Sequence, residues 1–381
     1  VPVAINVGPL VNIGDSEAQV MSEFKGSYDW AARCMVRHKL VMRRATTAAL
    51  KRPLMGPDTE ENLRRIFLAR LAWTCREFNI PAELVFHADE TGSNLLPHRD
   101  TAVHEKGSKT VPMLHYGEKR QATVMVGGNI CQTYLPPFVL FNGIGPTNLR
   151  KQLEKESDRD SFELEADIDR HLTPITWANR DSHWMSCDAV KVWLNDALMP
   201  TVREQRSALG TDPDHPFILM WDVYYSHRTE DTLTYIRSKY PELKLVFVPS
   251  GCTDFLQIFD VAMGRPFKMY VTKRKEEWEM KNIFGPILSK QWIQIRDRQR
   301  HEGWNGNWTK KDVQCALAKD AVGFGKMAAT KVALVGGLSH LRPLFVRWVH
   351  EGITILRKTN AMRKGAERIG IVNAVNQAVT S

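Results

Sequence analysis

Apolar positions along the chain change their period several times, and each change marks an element. Leu63, Phe67, Leu71 and Cys75 recur every fourth residue, the spacing of one helix face. Asp58 stands before them as a candidate cap with Glu61 three residues on, and Asn79 and Pro81 close the helix. Residues 84–92 (LVFHADETG) are apolar and then abruptly polar, as at the end of a strand. Residues 121–130 and 134–143 read as an antiparallel pair of strands with a short connection. After a polar stretch at 151–169, helix spacing returns over 188–198, with Ala189, Trp193 and Ala197 on one side. Residues 216–227 (PFILMWDVYYSH) and 243–249 (LKLVFVP) read as buried strands separated by a short helix. A basic helix follows Gly264 and Pro266, and 286–369 looks mostly helical.

Hairpin strands followed by strand–helix alternation predict a mixed sheet flanked by helices. The division expected is 1–52, 53–82, 83–285 and 286–381: a basic N-terminal segment, a linker helix, an α/β domain and a helical end.

Charge adds a candidate partner. The net charge is +9, which permits a polyanion without requiring one. Between Trp30 and Pro57 stand Arg33, Arg37, Lys39, Arg43, Arg44, Lys51 and Arg52, with no acid among them. DNA phosphate would relieve that repulsion, and a solvated helix face is the plain alternative. The six cysteines are scattered without a C-x-x-C pair, so neither a zinc ribbon nor a disulfide framework is indicated. Reduced thiols suit the cytosol or nucleus. No signal segment or apolar run of membrane-spanning length is evident. The chain starts with Val1 rather than Met, which leaves room for an upstream DNA-binding domain.

The candidate chemistry lies where acids end apolar strands. Asp89 follows Leu84–Phe86, and Asp222 follows Phe217–Trp221. A carboxylate at such a place is partly desolvated and calls for a compensating cation. Asp260, at a helix start, supplies a third acid. Mg²⁺ favours oxygen ligands of this kind. For each acid alone, a cap or a surface salt bridge explains it as well. Glu90 adjoins Asp89, but strand neighbours point to opposite faces, so Asp89 is the choice. His183 and Cys187 lack a second ligand pair, Gly107–Thr110 is a turn, and Trp184 and Trp193 are read as core.

Several blocks together resemble the pogo-like branch of the mariner superfamily of transposases. Residues 26–46, with Trp30, Arg37, His38, Arg43 and Arg44, resemble the end of a centromere-protein-B-like helix-turn-helix. The block at 84–92 resembles the strand bearing the family's first acid, and the Lys119-Arg120 pair and the Leu135-Pro136-Pro137 run fit the next two strands. Asp222, with His227 five places on, and the block at 247–268 fit the second and third acids. Asp222 and Asp260 are 38 positions apart, which suits an all-Asp triad. The likeness departs at His87 and Val223, where the family favours Asn, and at Gln257-Ile258-Phe259, where it favours Gln-Pro-Leu.

The resemblance implies an RNase H-like fold with a five-stranded mixed sheet, and catalysis at Asp89, Asp222 and Asp260 with Mg²⁺ or its substitute Mn²⁺. It implies cutting at transposon ends followed by strand transfer into target DNA, in a nuclear protein that works as a homodimer on DNA. Arg33, Arg37, Lys39, Arg43 and Arg44 would contact DNA. Lys268, Lys273, Arg274 and Lys275 would line its path. His227 and Gln257 would stand behind the acids, although His227 reads equally well as a hydrogen-bonded structural histidine. Asp254 competes with Asp260 and is read as a loop residue. Two rivals remain: a domesticated DNA-binding protein without cutting, and a nuclease of this fold without strand transfer. The region from Pro286 carries no readable motif.

Overall fold

The computed structural model describes residues 57–96, 120–144, 172–179, 182–284 and 337–380, with isolated positions at Arg33, Arg37, Asn148, Leu149 and Lys151. The chain divides into two compact units, residues 1–54 and 55–381. Arg33 and Arg37 of the first unit are helical and exposed. Lys39, Arg43 and Arg44 lie outside the described residues.

The second unit opens on helix α1 (Pro57–Glu77), whose Phe67, Leu71 and Cys75 are buried as their spacing predicts. Asp58 falls in the first turn of the described helix. Three strands follow: β1 (Val85–Asn94), β2 (Gln121–Asn129) and β3 (Phe138–Asn142). They form an antiparallel meander with Asp89 opposite Val126 and Val124 opposite Val139. The third strand is shorter than its apolar run because Pro136 and Pro137 have no N–H to give a ladder. Tyr134, before them, makes only an isolated bridge to Gly128.

Strand β4 (Ile175–Asn179) was not expected; it adds to β3 in parallel at the sheet edge. Ser186 caps helix α2 (Cys187–Trp193) by accepting from the Ala189 N–H at 3.2 Å. That helix runs through a π-helical turn (Leu194–Leu198) into α3 (Met199–Leu209), which ends at Gly210 with φ of 64°. Strand β5 (Phe217–Trp221) is buried at every residue, the signature of a strand covered on both faces. A single turn, α4 (Tyr225–Arg228), and helix α5 (Glu230–Lys239) lead to β6 (Leu243–Phe247). The short helix α6 (Thr253–Leu256) and a π-helical turn (Phe259–Met263) precede the long helix α7 (Gly264–Glu279). Helices α8 (Leu338–Lys358), α9 (Ala361–Ile369) and α10 (Ile371–Thr380) complete the described fold.

The sheet has six strands in the order β4-β3-β2-β1-β5-β6. On one side of β1 lies the antiparallel meander, and on the other β5 and β6 run parallel to it. This is the RNase H-like arrangement, enlarged from the expected five strands by β4. The β1–β5 ladder is short, running only from Val85–Ile218 to His87–Met220. Close packing of the sheet leaves no room for a side chain at Gly127, where a Cβ would lie 2.6 Å from the His87 carbonyl oxygen.

The C-terminal helices share this core. Helix α8 packs on α7, α9 packs on the Phe259–Met263 turn, and α10 packs on α1. Two of the basic residues expected along the DNA path are spent on this packing. The Arg274 guanidinium pairs with Glu351 and Glu277, each at 2.9 Å. Lys275 is 4% exposed, donates to Ser93 Oγ at 2.6 Å and to the Asn94 carbonyl, and lies over the Phe345 ring. A lysine on a helix pointing at solvent is indistinguishable in sequence from one turned inward, so spacing alone could not separate them. Lys268 and Lys273 remain exposed.

Burial pushes the Lys275 amine down from 10.5 to about 7. The unfolded chain keeps this amine protonated to higher pH than the folded chain does, so the unfolded state binds more protons between roughly pH 7 and 10.5. Stability therefore rises with pH across that window. Denaturant titrations should show the rise in the wild type and a flatter profile in Lys275→Met; parallel profiles would contradict it.

Candidate active site

The three sequence-selected acids sit around the end of β5. Asp222 directly follows that strand, as its apolar run predicts. Asp89, by contrast, is not at a strand end: β1 continues to Asn94, paired with β2. It lies two residues past the point where the β1–β5 ladder stops. Asp260 lies on the π-helical turn ahead of α7, and its side chain is open to solvent. Asp254 is in the short helix α6 rather than a loop, and is exposed.

The electrostatics tie these acids together. Burial raises the Asp89 carboxyl well above the usual carboxylate range, and Asp260, Glu90 and Asp222 raise it further. The N–H of Glu90, donated to Asp89 Oδ1 at 2.8 Å, works the other way. The Asp260 carboxyl, in an exposed residue, is also raised, first by partial desolvation, with Lys268 opposing and Asp254 and Asp222 adding to it. Among the described residues no cationic side chain pairs with Asp89.

Asp222 is anchored through one oxygen. Its Oδ1 accepts from the Tyr224 N–H at 3.2 Å and lies 2.7 Å from His227 Nδ1. His227 Nε2 lies 2.9 Å from Glu90 Oε1. The imidazole is fully buried and stacked on Trp221, with ring centroids 3.7 Å apart. Burial works against a charge there, but the two carboxylates outweigh it and lift the ring to about 9. His227 is thus a hydrogen-bonded member of the site. Sequence reasoning set Glu90 aside because it faces away from Asp89; its longer side chain reaches His227 from the other face. Spacing carried no signal for that contact, since 137 positions separate the pair.

The remaining sequence-selected positions differ. Gln257 is 1% exposed, but its amide has no hydrogen-bond partner among the described residues. His87 is equally buried and equally without partners, and burial drives its ring down to about 3. Trp193 is in the core at 1% exposure, whereas Trp184 is 57% exposed, against expectation. It precedes the α2 cap, outside the helical face that buries Trp193.

The donor set suits a hard divalent cation: oxygen-only ligands, one of them buried and uncompensated. Asp89 and Asp222 each commit Oδ1 to the protein and leave Oδ2 without a protein partner among the described residues. As the side chains stand, no group of three His, Cys, Asp or Glu residues among those described is placed to hold a metal ion. Nor, among the same residues, is any helix long and apolar enough to cross a membrane.

Residues 119–295 match the DDE superfamily endonuclease family. The matched stretch takes in Asp222 and Asp260 and begins after Asp89. The curated protein "Pogo transposable element with KRAB domain" of Homo sapiens is 26% identical over 259 residues, covering 67% of this chain and 37% of that protein. Its Mus musculus counterpart is 24% identical over the same length and coverage. The chain thus spans little more than a third of these relatives. A pre-cleavage Mos1 transpososome superposes with a TM-score of 0.36 at 8% identity, over 93% of this chain and 80% of that one. The Mos1 mariner paired end complex with Mn gives 0.35 at 7% identity, over 93% and 80%. The fold assignment stands on strand order and sense.

Proposed function

Because the chain is related to the pogo-like DDE transposases, we propose that it cuts DNA at transposon ends and joins the freed ends to target DNA. One observation carries this reading: Asp89 on β1 and Asp222 directly after the neighbouring β5 each keep one oxygen anchored and one without a protein partner among the described residues, beside Asp260. We assign Asp89, Asp222 and Asp260 as the residues that would hold Mg²⁺, or Mn²⁺ in its place. When bound, such ions polarise the scissile phosphodiester and lower the pKa of the attacking water.

The chain's own groups supply the rest. The Asp222 carboxylate is oriented by His227 and by the Tyr224 N–H. Lys268, exposed and electrostatically coupled to Asp260, offers a positive charge for a DNA phosphate. Arg33, Arg37, Lys39, Arg43 and Arg44 are assigned to DNA contact, and Gln257 to support behind Asp260. After cutting, the freed 3′-hydroxyl attacks a target phosphodiester; one P–O bond forms as another breaks. Holding two ends at once calls for a homodimer on DNA, and the substrate places the work in the nucleus.

A second reading, a DNA-binding relative that does not cut, draws on the three acids not meeting at one point as they stand. The two separate in one assay. The purified chain is incubated with DNA bearing its own element's ends and Mg²⁺, Mn²⁺ or EDTA. Nicking with either ion and none in EDTA is the expected result. Binding without nicking under every condition would favour the second reading.

A further inference from the structure

Asp89 lies on β1 and Asp222 directly follows the neighbouring β5, yet no backbone ladder sets their separation. The β1–β5 pairing ends at His87 and Met220, before either acid. Past that point β1 is held by β2, and β5 ends on its pairing with β6. Two carboxylates that share a cation need a fixed spacing, because small ligand displacements weaken the joint hold on the ion.

A side-chain tie spans the gap. Glu90 bonds in both directions: its backbone N–H donates to Asp89 Oδ1 at 2.8 Å, and its Oε1 sits 2.9 Å from His227 Nε2. His227 Nδ1 in turn sits 2.7 Å from Asp222 Oδ1 and 3.3 Å from the Asp222 carbonyl. The ring between them has little freedom. It is fully buried, stacked on Trp221, and met edge-on by Tyr224 at 5.6 Å. The Glu90 side chain is 13% exposed, so water competes weakly for its contact.

We propose that Glu90 is a positioning residue that, through His227, sets the separation of Asp89 and Asp222 and so their joint hold on a divalent cation. This rests on the metal-site reading above. Glu90 itself faces the opposite side of the strand from Asp89 and ligates nothing. Its contribution is that of an outer partner orienting a ligand, whose loss typically weakens metal affinity by about 10–100-fold.

The experiment is a double-mutant cycle in the full chain, read by Mn²⁺ affinity from electron paramagnetic resonance without DNA, and by nicking rate. Glu90→Ala and His227→Ala should each weaken Mn²⁺ binding about tenfold or more. The double variant should be no weaker than His227→Ala alone, because Glu90 acts only through that ring. Glu90→Gln, which keeps an acceptor oxygen in place, should retain most of the affinity. It also secures the test if Glu90→Ala fails to fold. Wild-type affinity in Glu90→Ala overturns the proposal, as do losses that multiply in the double variant. Glu90→Gln losing as much as Glu90→Ala would make Glu90 a ligand and also overturn it. A wild-type chain that binds no Mn²⁺ would sink the metal-site reading and this one together, whereas the preceding outcomes sink this one alone.

Discussion

Asp222→Asn should abolish DNA cutting and leave DNA binding nearly unchanged. The substitution keeps the side chain's size and its Oδ1, so the Tyr224 N–H and His227 Nδ1 retain their acceptor. What is lost is one negative charge facing Asp89 and Asp260. Repulsion within the acid cluster falls, but the carboxylate charge that helps hold the buried His227 ring protonated is lost as well, so the two effects on stability oppose each other. A divalent cation, however, loses a charged ligand. Since even outer partners of metal ligands cost about 10–100-fold, the cutting rate should fall by more than about a hundredfold. A nicking assay, a gel-shift titration and a melting curve on one preparation measure all three. Nicking at the wild-type rate would refute the assignment of Asp222.

Trp221→Ala has the largest expected effect on stability. Trp221 ends β5 with no solvent exposure and lies between Trp193, at 5.5 Å between ring centroids, and the stacked His227. Removing a fully buried indole costs about 3–5 kcal/mol, because the cavity collapses only in part. The indole N–H has no hydrogen-bond partner among the described residues, so a purely apolar ring forfeits nothing polar. Trp221→Phe should therefore be markedly milder than Trp221→Ala. Denaturant unfolding of both variants compares them directly. A loss below about 1 kcal/mol for the alanine variant would mean that β5 is less tightly packed than its burial indicates.

Most of the sheet was legible because a strand covered on both faces must be apolar throughout, and Phe217–Trp221 is. The same rule exposed Asp222, the first polar residue after such a run. Strand β4 escaped because it is a half-buried edge strand, ITWAN, with no alternation long enough to stand out. Asp89 was found for a reason only partly right. It follows an apolar run, but β1 goes on past it with β2, so it marks the end of a ladder rather than of a strand.

Asp260 came mainly from the family resemblance, whereas the chain's pattern by itself determined the order of strands and helices apart from β4, the buried faces of α1 and β5, and Asp89 and Asp222 as acids worth testing. These follow from local periodicity and from the cost of burying a charge, both written within a few neighbouring residues. Only the tertiary structure decided that Lys275 is buried at the end of β1 and that Arg274 is bound to Glu351. It alone turned His227 between Asp222 and Glu90. Those outcomes depend on which distant segments meet. A contact across 137 positions leaves no trace in the period of either segment.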